Sequence, residues 1–166
     1  MLKNGFTLIE MLVVVLIIAI LASVAFPQYQ IAVGVSRVTN VISFAKVISD
    51  AQNRYHLATG EYTTDYNMLD VSMPEGGTFS ADGKTITYKN FLCFLRAAGE
   101  GSSVYCNVLS PVGINMEKYY KQAGAHFICW PKTNDTTELT NRICQKVSGL
   151  ETPTASTSSG LLGYMF

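Results

Sequence analysis

One carboxylate stands alone in the apolar N-terminal part of the chain, and it is the residue there with the clearest chemical potential. Glu10 is the only charged side chain between Phe6 and Phe26, and Pro27 closes this apolar run. A carboxylate inside hydrocarbon is costly, so such residues are functional candidates by default. The chemistry open to Glu10 is the neutralisation of a positive charge held in the same apolar setting.

Four cysteines carry the other recognisable chemistry, and four cysteines allow three disulfide pairings. If residues 99–100 form a two-residue hairpin turn, Cys93 lies opposite Cys106 at a non-hydrogen-bonded position. The α-carbons there are ~4.5 Å apart, within the range of disulfides. Elimination then pairs Cys129 with Cys144. A zinc site and free buried thiols are the alternatives, although the sequence has no CxxC spacing that would favour zinc.

The remaining polar groups do not form a catalytic or cofactor-binding pattern. His56 falls at the end of a predicted helix and His126 in a predicted strand, and neither has a triad or metal-ligand spacing beside it. The chain has 12 basic and 12 acidic residues and a formal net charge of zero, which does not favour a dedicated nucleic-acid binder. The sequence therefore predicts no catalytic residues, no cofactor and no metal site.

The apolar run that holds Glu10 is long enough to cross a bilayer. As a helix, residues 6–26 would span about 32 Å, and a hydrocarbon core is about 30 Å thick. A secretory signal peptide would have a shorter apolar core and a small-residue cleavage site. A buried core helix is rarely so uniformly aliphatic, and a plain membrane anchor leaves Glu10 unexplained. Pro27 removes one helical hydrogen bond, so the sequence predicts a kink close to it.

A helical pattern continues beyond Pro27 to about residue 58. Apolar residues recur there at spacings of three or four and once of seven, which indicates a helix with one buried face. Gly60 follows as a stop signal. We predict one nearly continuous helix over residues 6–58, with a membrane or fibre-core stem to about residue 27. The predicted buried face of its second half is Ile31, Val35, Val38, Ile42, Ala45, Ile48 and Tyr55.

The remainder of the chain, residues 59–166, is predicted to form a globular head built on an antiparallel sheet. A connecting loop comes first, and Asp82-Gly83 marks the turn of a first hairpin. The predicted elements are a loop at 60–77, a hairpin at 78–88, a strand pair at 91–96 and 103–109, and a strand at 125–130.

For four further stretches of the head, the predictions rest on composition. The stretch 111–124 is open between a strand and a turn with a short helix, and residues 132–141 read as a polar loop. The Ser/Thr-rich residues 151–160 predict a mobile loop. The apolar residues 161–166 are expected to dock onto the head.

The segment from Gly5 to Val15, Gly-Phe-Thr-Leu-Ile-Glu-Met-Leu-Val-Val-Val, resembles the prepilin signature of type IV pilins and of the pseudopilins of type II secretion. The resemblance extends from Met1 to about Arg37. It implies that a prepilin peptidase cuts after Gly5, removes the leader 1–5 and methylates Phe6. It also implies that Glu10 is the family's acidic position, facing the Phe6 ammonium of a neighbouring chain, and that Pro27 is its helix-weakening proline.

The resemblance implies an α+β type IV pilin fold, in which a long N-terminal helix packs on a C-terminal antiparallel sheet. It implies a structural subunit that polymerises into a surface fibre for adhesion, motility or DNA uptake. The partners it implies are other copies of the chain, minor pilins, the prepilin peptidase and an inner-membrane assembly platform with its ATPase. No specific nucleic-acid partner is evident. The chain would lie in the inner membrane with a cytoplasmic N-terminus before assembly, and in an extracellular fibre afterwards.

There are two alternatives, one within the same family and one in a different functional class. A pseudopilin of type II secretion would form a short periplasmic piston, but major pseudopilins usually lack cysteines and carry a calcium loop. The sequence shows no acidic cluster suited to such a loop. A membrane-tethered receptor or enzyme would need a site that the sequence does not show.

Overall fold

A computed structural model describes residues 7–96, 102–109, 112–120 and 126–166. These residues form a long helix, a short helix and an antiparallel sheet, so the predicted α+β class is confirmed. In chain order the elements are α1 (Leu8–Thr59), a 3-10 turn (Tyr66–Met68), β1 (Thr78–Phe79), β2 (Thr85–Thr87), β3 (Phe91–Arg96), β4 (Ser103–Val108), β5 (Ile114–Tyr119), β6 (Phe127–Trp130), α2 (Leu139–Ser148), β7 (Ala155–Ser156) and β8 (Leu162–Met165).

Helix α1 is uninterrupted over 52 residues, which corresponds to about 78 Å of helix. It ends at Gly60, whose φ of 82° lies in the left-handed region that glycine tolerates best. The Gly60 N–H donates to the carbonyl of His56 at 2.8 Å, which closes the last turn. The helix also continues through Pro27, and a kink at that residue stays a prediction.

The two halves of α1 have different surroundings. Every residue from Leu8 to Gln30 is exposed, although nearly all of the first nineteen are apolar. By length and composition α1 can cross a membrane, and none of its most apolar window is buried. From Ile31 onward, one side of the helix enters the core of the head. A single helix therefore serves as a bare stem and as a core element.

The buried face of α1 is wider than the sequence pattern predicts. Four of the predicted residues are buried, namely Ile31, Val38, Ala45 and Ile48, and the other three pack against the core while partly exposed. The added width comes from Val41, Phe44, Ala51 and Gln52. The buried face is wider because α1 packs against two parts of the head, strands β4 and β5 on one side and helix α2 on another.

The sheet has eight strands in the order β1-β2-β3-β4-β5-β6-β8-β7 within the described residues, and every neighbouring pair is antiparallel. The first hairpin is centred on Asp82-Gly83 as predicted, since Thr78 faces Thr87. The stretch left open at 111–124 contains β5, a central strand between β4 and β6. A strand forms there because both of its edges find pairing partners.

The C-terminal segment docks onto the sheet as expected. Strand β8 pairs with β6, and Phe166 exchanges two backbone hydrogen bonds with Phe127, at 2.9 and 2.8 Å. The expectation of a mobile loop over residues 151–160 is wrong for its centre. There β7 pairs with β8, with Ala155 opposite Gly163, because the docked last strand offers a second free edge.

Helix α2 was not predicted, and its first residues fall in the stretch interpreted as a polar loop. Leu139, Ile143 and Val147 are spaced by four and lie on one side of α2. Ile143 is fully buried, and its side chain fills the space above Gly34 of α1. The helix forms because this apolar side packs against α1 and the sheet.

Two disulfides connect the elements of the head. Cys93 on β3 lies directly opposite Cys106 on β4, with α-carbons 4.0 Å apart. Cys129 on β6 is bonded to Cys144 on α2, with α-carbons 5.6 Å apart. These are the pairs that the strand register and elimination predict, although the turn at 99–100 lies outside the described residues. The second bridge fastens α2 to the sheet covalently.

We expect Gly34→Val to destabilise the head by about 1–3 kcal/mol, the usual range for an overpacked core. A Cβ on Gly34 would collide with Cδ1 of Ile143 and lie 2.9 Å from its Cγ1. Ile143 is fully buried and has little room to move. Thermal unfolding of the purified chain measures the loss. Ala32→Val, at an exposed position of the same helix, is the control because it adds the same β-branched residue. Equal stability of the two variants would contradict a close contact between α1 and α2.

Candidate functional site

The carboxylate of Glu10 is held at the start of α1 by Thr7. The Thr7 N–H donates to Glu10 Oε2 at 2.7 Å, and the Thr7 hydroxyl donates to the same oxygen at 2.8 Å. In return the Glu10 N–H donates to Thr7 Oγ1 at 3.3 Å. This reciprocal arrangement is a capping box, and it satisfies helix-start N–H groups that would otherwise lack partners.

The capping box holds the negatively charged carboxylate of Glu10 in a fixed position at the start of α1. A carboxylate has about four acceptor positions, and Thr7 uses only part of this capacity. The remaining positions can accept hydrogen bonds from a cation brought by another molecule. Gly5 and Phe6, the predicted cleavage and methylation residues, lie outside the described residues. Their roles and the role of Glu10 therefore stay predictions.

The surface that surrounds Glu10 is apolar and has no partner within the described chain. Its few polar groups are satisfied locally, since the Ser23 hydroxyl donates to the Ile20 carbonyl at 2.7 Å. Ala19 and Ser23 are small residues one turn apart, where a second helix can approach closely. Chemically, the arrangement is an apolar rod with one carboxylate at its end, suited to lipid or to other such rods.

A buried carboxylate lies in the sheet and has a structural function. Glu117 on β5 is only 4% exposed and accepts hydrogen bonds from three strands. Its donors are Arg96 Nη1 at 3.1 Å, Ser103 Oγ at 2.9 Å and Trp130 Nε1 at 3.3 Å. The guanidinium of Arg96 also lies 4.5 Å from the ring centre of Tyr105. Because β3, β4 and β6 all donate to it, Glu117 braces the centre of the sheet.

The two histidines lie in aromatic packing. The His56 ring stacks on Tyr62 with centres 4.4 Å apart, and the His126 ring lies 5.6 Å from that of Tyr119. Both contacts belong to the packing of the head. The candidate site of this molecule is therefore the stem with Glu10.

Comparison with known proteins agrees with this emphasis on the N-terminal part of the chain. Residues 1–26 match the family model described as the prokaryotic N-terminal methylation motif. A type IV major pilin protein of Neisseria gonorrhoeae is 33% identical over 89 residues, which cover 54% of this chain and 54% of the relative. The chain is similar to type IV pilins. A fimbrial protein of Pseudomonas aeruginosa is 33% identical over 87 residues, 50% of this chain and 56% of the relative.

Another relative matches over a shorter stretch at higher identity. A type IV major fimbrial protein of Dichelobacter nodosus is 55% identical over 42 residues, 25% of this chain and 27% of the relative. The chain spans about half the length of the curated relatives it matches first. No solved structure matches. The relatives are named as pilin and fimbrial proteins.

Proposed function

We propose that this chain is the structural subunit of a type IV pilus and that it polymerises through the stem of α1. The observation that carries the proposal is the exposure of every residue from Leu8 to Gln30 in a segment that is almost entirely apolar. An apolar surface of this length is unfavourable in water. Lipid covers it before assembly, and the stems of other copies cover it in the fibre.

Processing supplies the charge that Glu10 needs. In this proposal a prepilin peptidase cuts after Gly5 and methylates Phe6, which leaves an ammonium at the new N-terminus. The capping box holds the Glu10 carboxylate in the first turn of α1, close in sequence to that terminus. When stems associate, the ammonium of one chain meets the carboxylate of its neighbour. The pairing removes two uncompensated charges from an apolar core and sets the axial offset between subunits.

The wider setting is part of the same proposal and is supported by the similarity to type IV pilins. The subunit waits in the inner membrane with its N-terminus in the cytoplasm and leaves it during assembly. An inner-membrane platform with its ATPase drives assembly, and minor pilins join other copies of this chain in the filament. The fibre then serves adhesion, motility or DNA uptake from the cell surface. Electron micrographs of cells with and without the gene test this setting, because a secretion piston would give no long surface fibres.

We expect mass spectrometry of sheared fibres to find Phe6 as the N-terminal residue, carrying one methyl group. Gly5→Val should keep residues 1–5 on the chain and yield no fibres, because a bulky side chain blocks the cut site. Gly5→Ala adds only a methyl group and is the comparison for Gly5→Val. We expect part of the Gly5→Ala chains to be cleaved. A chain that still begins at Met1 within assembled fibres would contradict the proposal.

A further inference from the structure

A trough lies on the outer face of the sheet, which we define as the face turned away from α1. Side chains alternate along β5, so Ile114 and Met116 belong to the core that contains the buried face of α1, and the residues between them face outward. The trough has a volume of about 310 Å³. It is lined by the end of β7, the turn that follows it, and Arg96, Tyr105, Asn115, Glu117, Tyr119 and Trp130.

The trough is elongated along β5. Asn115 and Tyr119 are about 13 Å apart along the strand, with Glu117 and its β4 neighbour Tyr105 between them. Trp130 of β6 lies opposite Asn115. The volume falls at the lower end of the ~300–1,000 Å³ range that is typical of small-ligand sites. These dimensions favour a short chain of two linked rings over a bulky ligand.

An ion pair that cancels its own charge forms the floor of the trough. Glu117 is 4% exposed, and Arg96 Nη1 donates to its carboxylate at 3.1 Å. Trp130 Nε1 donates to the same carboxylate at 3.3 Å. Among the described residues that line the trough, Arg96 and Glu117 are the charged ones. A neutral polar ligand fits this floor better than an ion, because an ion would leave a buried charge without a counter-charge.

Three polar side chains of the lining have hydrogen-bonding capacity to spare. Arg96 donates through Nη1 and keeps Nε and Nη2 available within the described structure. The amide of Asn115 and the hydroxyl of Tyr105 make no hydrogen bond to any residue that the structure describes. Burial raises the pKa of the Tyr105 hydroxyl, so it stays neutral at ordinary pH. The trough therefore offers both donors and acceptors to a ligand.

Apolar surface lies beside these polar groups. Tyr119 and Leu161 are both partly exposed where they line the trough, and a small part of Trp130 shows at its floor. The Trp130 ring is fixed by packing over Gly163 of β8, since a Cβ there would lie 2.5 Å from Cε3 of Trp130. A ligand in the trough thus meets aromatic and aliphatic surface as well as polar groups.

The turn between β7 and β8 forms a wall of the trough that is held from two sides. Within the turn, the Leu161 N–H donates to Thr157 Oγ1 at 3.0 Å. From outside it, Asn134 Nδ2 donates to the Gly160 carbonyl at 2.9 Å, and Asn134 Oδ1 accepts from the Leu162 N–H at 2.8 Å. The wall is therefore formed before a ligand arrives, which lowers the entropic cost of binding.

We propose that this trough binds a neutral disaccharide unit. Sugar rings carry hydroxyl groups that both donate and accept hydrogen bonds, and they have C–H faces that pack on aromatic rings. The hydroxyls contact Asn115, Arg96 and Tyr105, and the C–H face of one ring packs on Tyr119. The inference goes beyond the proposed function and concerns the head of a single subunit, so it does not depend on fibre formation.

The test follows the fluorescence of Trp130, which is the one tryptophan of the sequence and lines the trough. The full chain is kept in a phosphocholine detergent, which has no sugar headgroup, and is titrated with lactose, cellobiose and maltose. We expect at least one of them to shift the emission saturably, with a Kd of about 1 mM for so small a ligand. Saturation-transfer NMR on the same samples detects bound sugar independently of the emission.

Variants then locate the bound sugar. Asn115→Ala and Arg96→Gln should each weaken binding about fivefold, as the loss of one hydrogen bond does. Asn107→Ala is the matched control and should leave the Kd unchanged. Asn107 faces Asn115 across β4 and β5 but does not line the trough. Denaturant unfolding of each variant separates a loss of binding from a loss of fold.

Three results would overturn the inference. The first is neither an emission shift nor saturation transfer with any of the three disaccharides. The second is an unchanged Kd in the Asn115→Ala/Arg96→Gln double variant, or equal weakening by Asn107→Ala. The third is tighter binding of the hyaluronan disaccharide, which carries one carboxylate, with loss of that binding at high salt. That result would make the trough an anion site. All of these measurements are made on unassembled chains, so their failure leaves the proposed function untouched.

Discussion

Glu10→Ala is expected to abolish fibres while the amount of chain in the membrane stays the same or rises. Without the carboxylate, the Phe6 ammonium of a neighbouring subunit has no partner in the apolar core of the fibre. Insertion of a single chain should not suffer, because the stem becomes more apolar. The measurement is the amount of chain in the shear fraction beside the amount in the membrane fraction.

Two further variants separate the charge of Glu10 from its role in the helix cap. Glu10→Gln keeps an oxygen that can accept from Thr7 but carries no charge, so it should resemble the alanine variant. Thr7→Val removes the hydroxyl of the cap and leaves the carboxylate, so fibres should persist. Abundant fibres from Glu10→Ala would contradict the charge pairing. Loss of the chain from the membrane would instead assign Glu10 to insertion or processing.

Glu117→Ala is expected to lower the free energy of unfolding of the head by about 3 kcal/mol, because it leaves buried donors without an acceptor. The Ser103 hydroxyl and the Trp130 N–H both donate to this carboxylate inside the sheet. The third donor, Arg96, is about half exposed and can turn to water. Denaturant unfolding of the oxidised chain measures the loss.

The variants Glu117→Gln and Arg96→Gln locate the origin of this effect. The amide of Glu117→Gln still offers one oxygen to the buried donors, so its loss should be smaller than that of alanine. Arg96→Gln removes the half-exposed partner and leaves both buried donors in place, so it should cost less than Glu117→Ala. If Glu117→Ala costs no more than Arg96→Gln, the buried donors find another acceptor and Glu117 is not the brace.

The features that the sequence predicts well depend on local patterns. Helix α1 follows from an apolar run and a three-four spacing, and Gly60 ends it by the conformation that glycine allows. The opposition of Cys93 and Cys106 follows from counting residues on two strands around one short turn. In each case the structure is determined by interactions between residues that are close in sequence.

Other features were missed for two different physical reasons. Some signals were present but overlooked, such as Thr7 and Glu10 at capping-box spacing and the four-residue spacing of Leu139, Ile143 and Val147 in α2. The environment of Glu117 is different, because its donors come from three strands that only the folded sheet brings together. Local pattern alone contains no information on such a contact.

The two disulfides also set how far a pulled subunit can lengthen. In the proposed fibre, a load would transmit tension along α1 into the head, and an unfolding chain extends by about 3.3–3.6 Å per residue. The bridges close sequence separations of 13 and 15 residues, and the chain inside each loop cannot contribute to extension. Together they withhold roughly 90 Å of contour length at that rise per residue. A head unfolded by force is therefore shorter by this length than one whose two disulfides have been reduced.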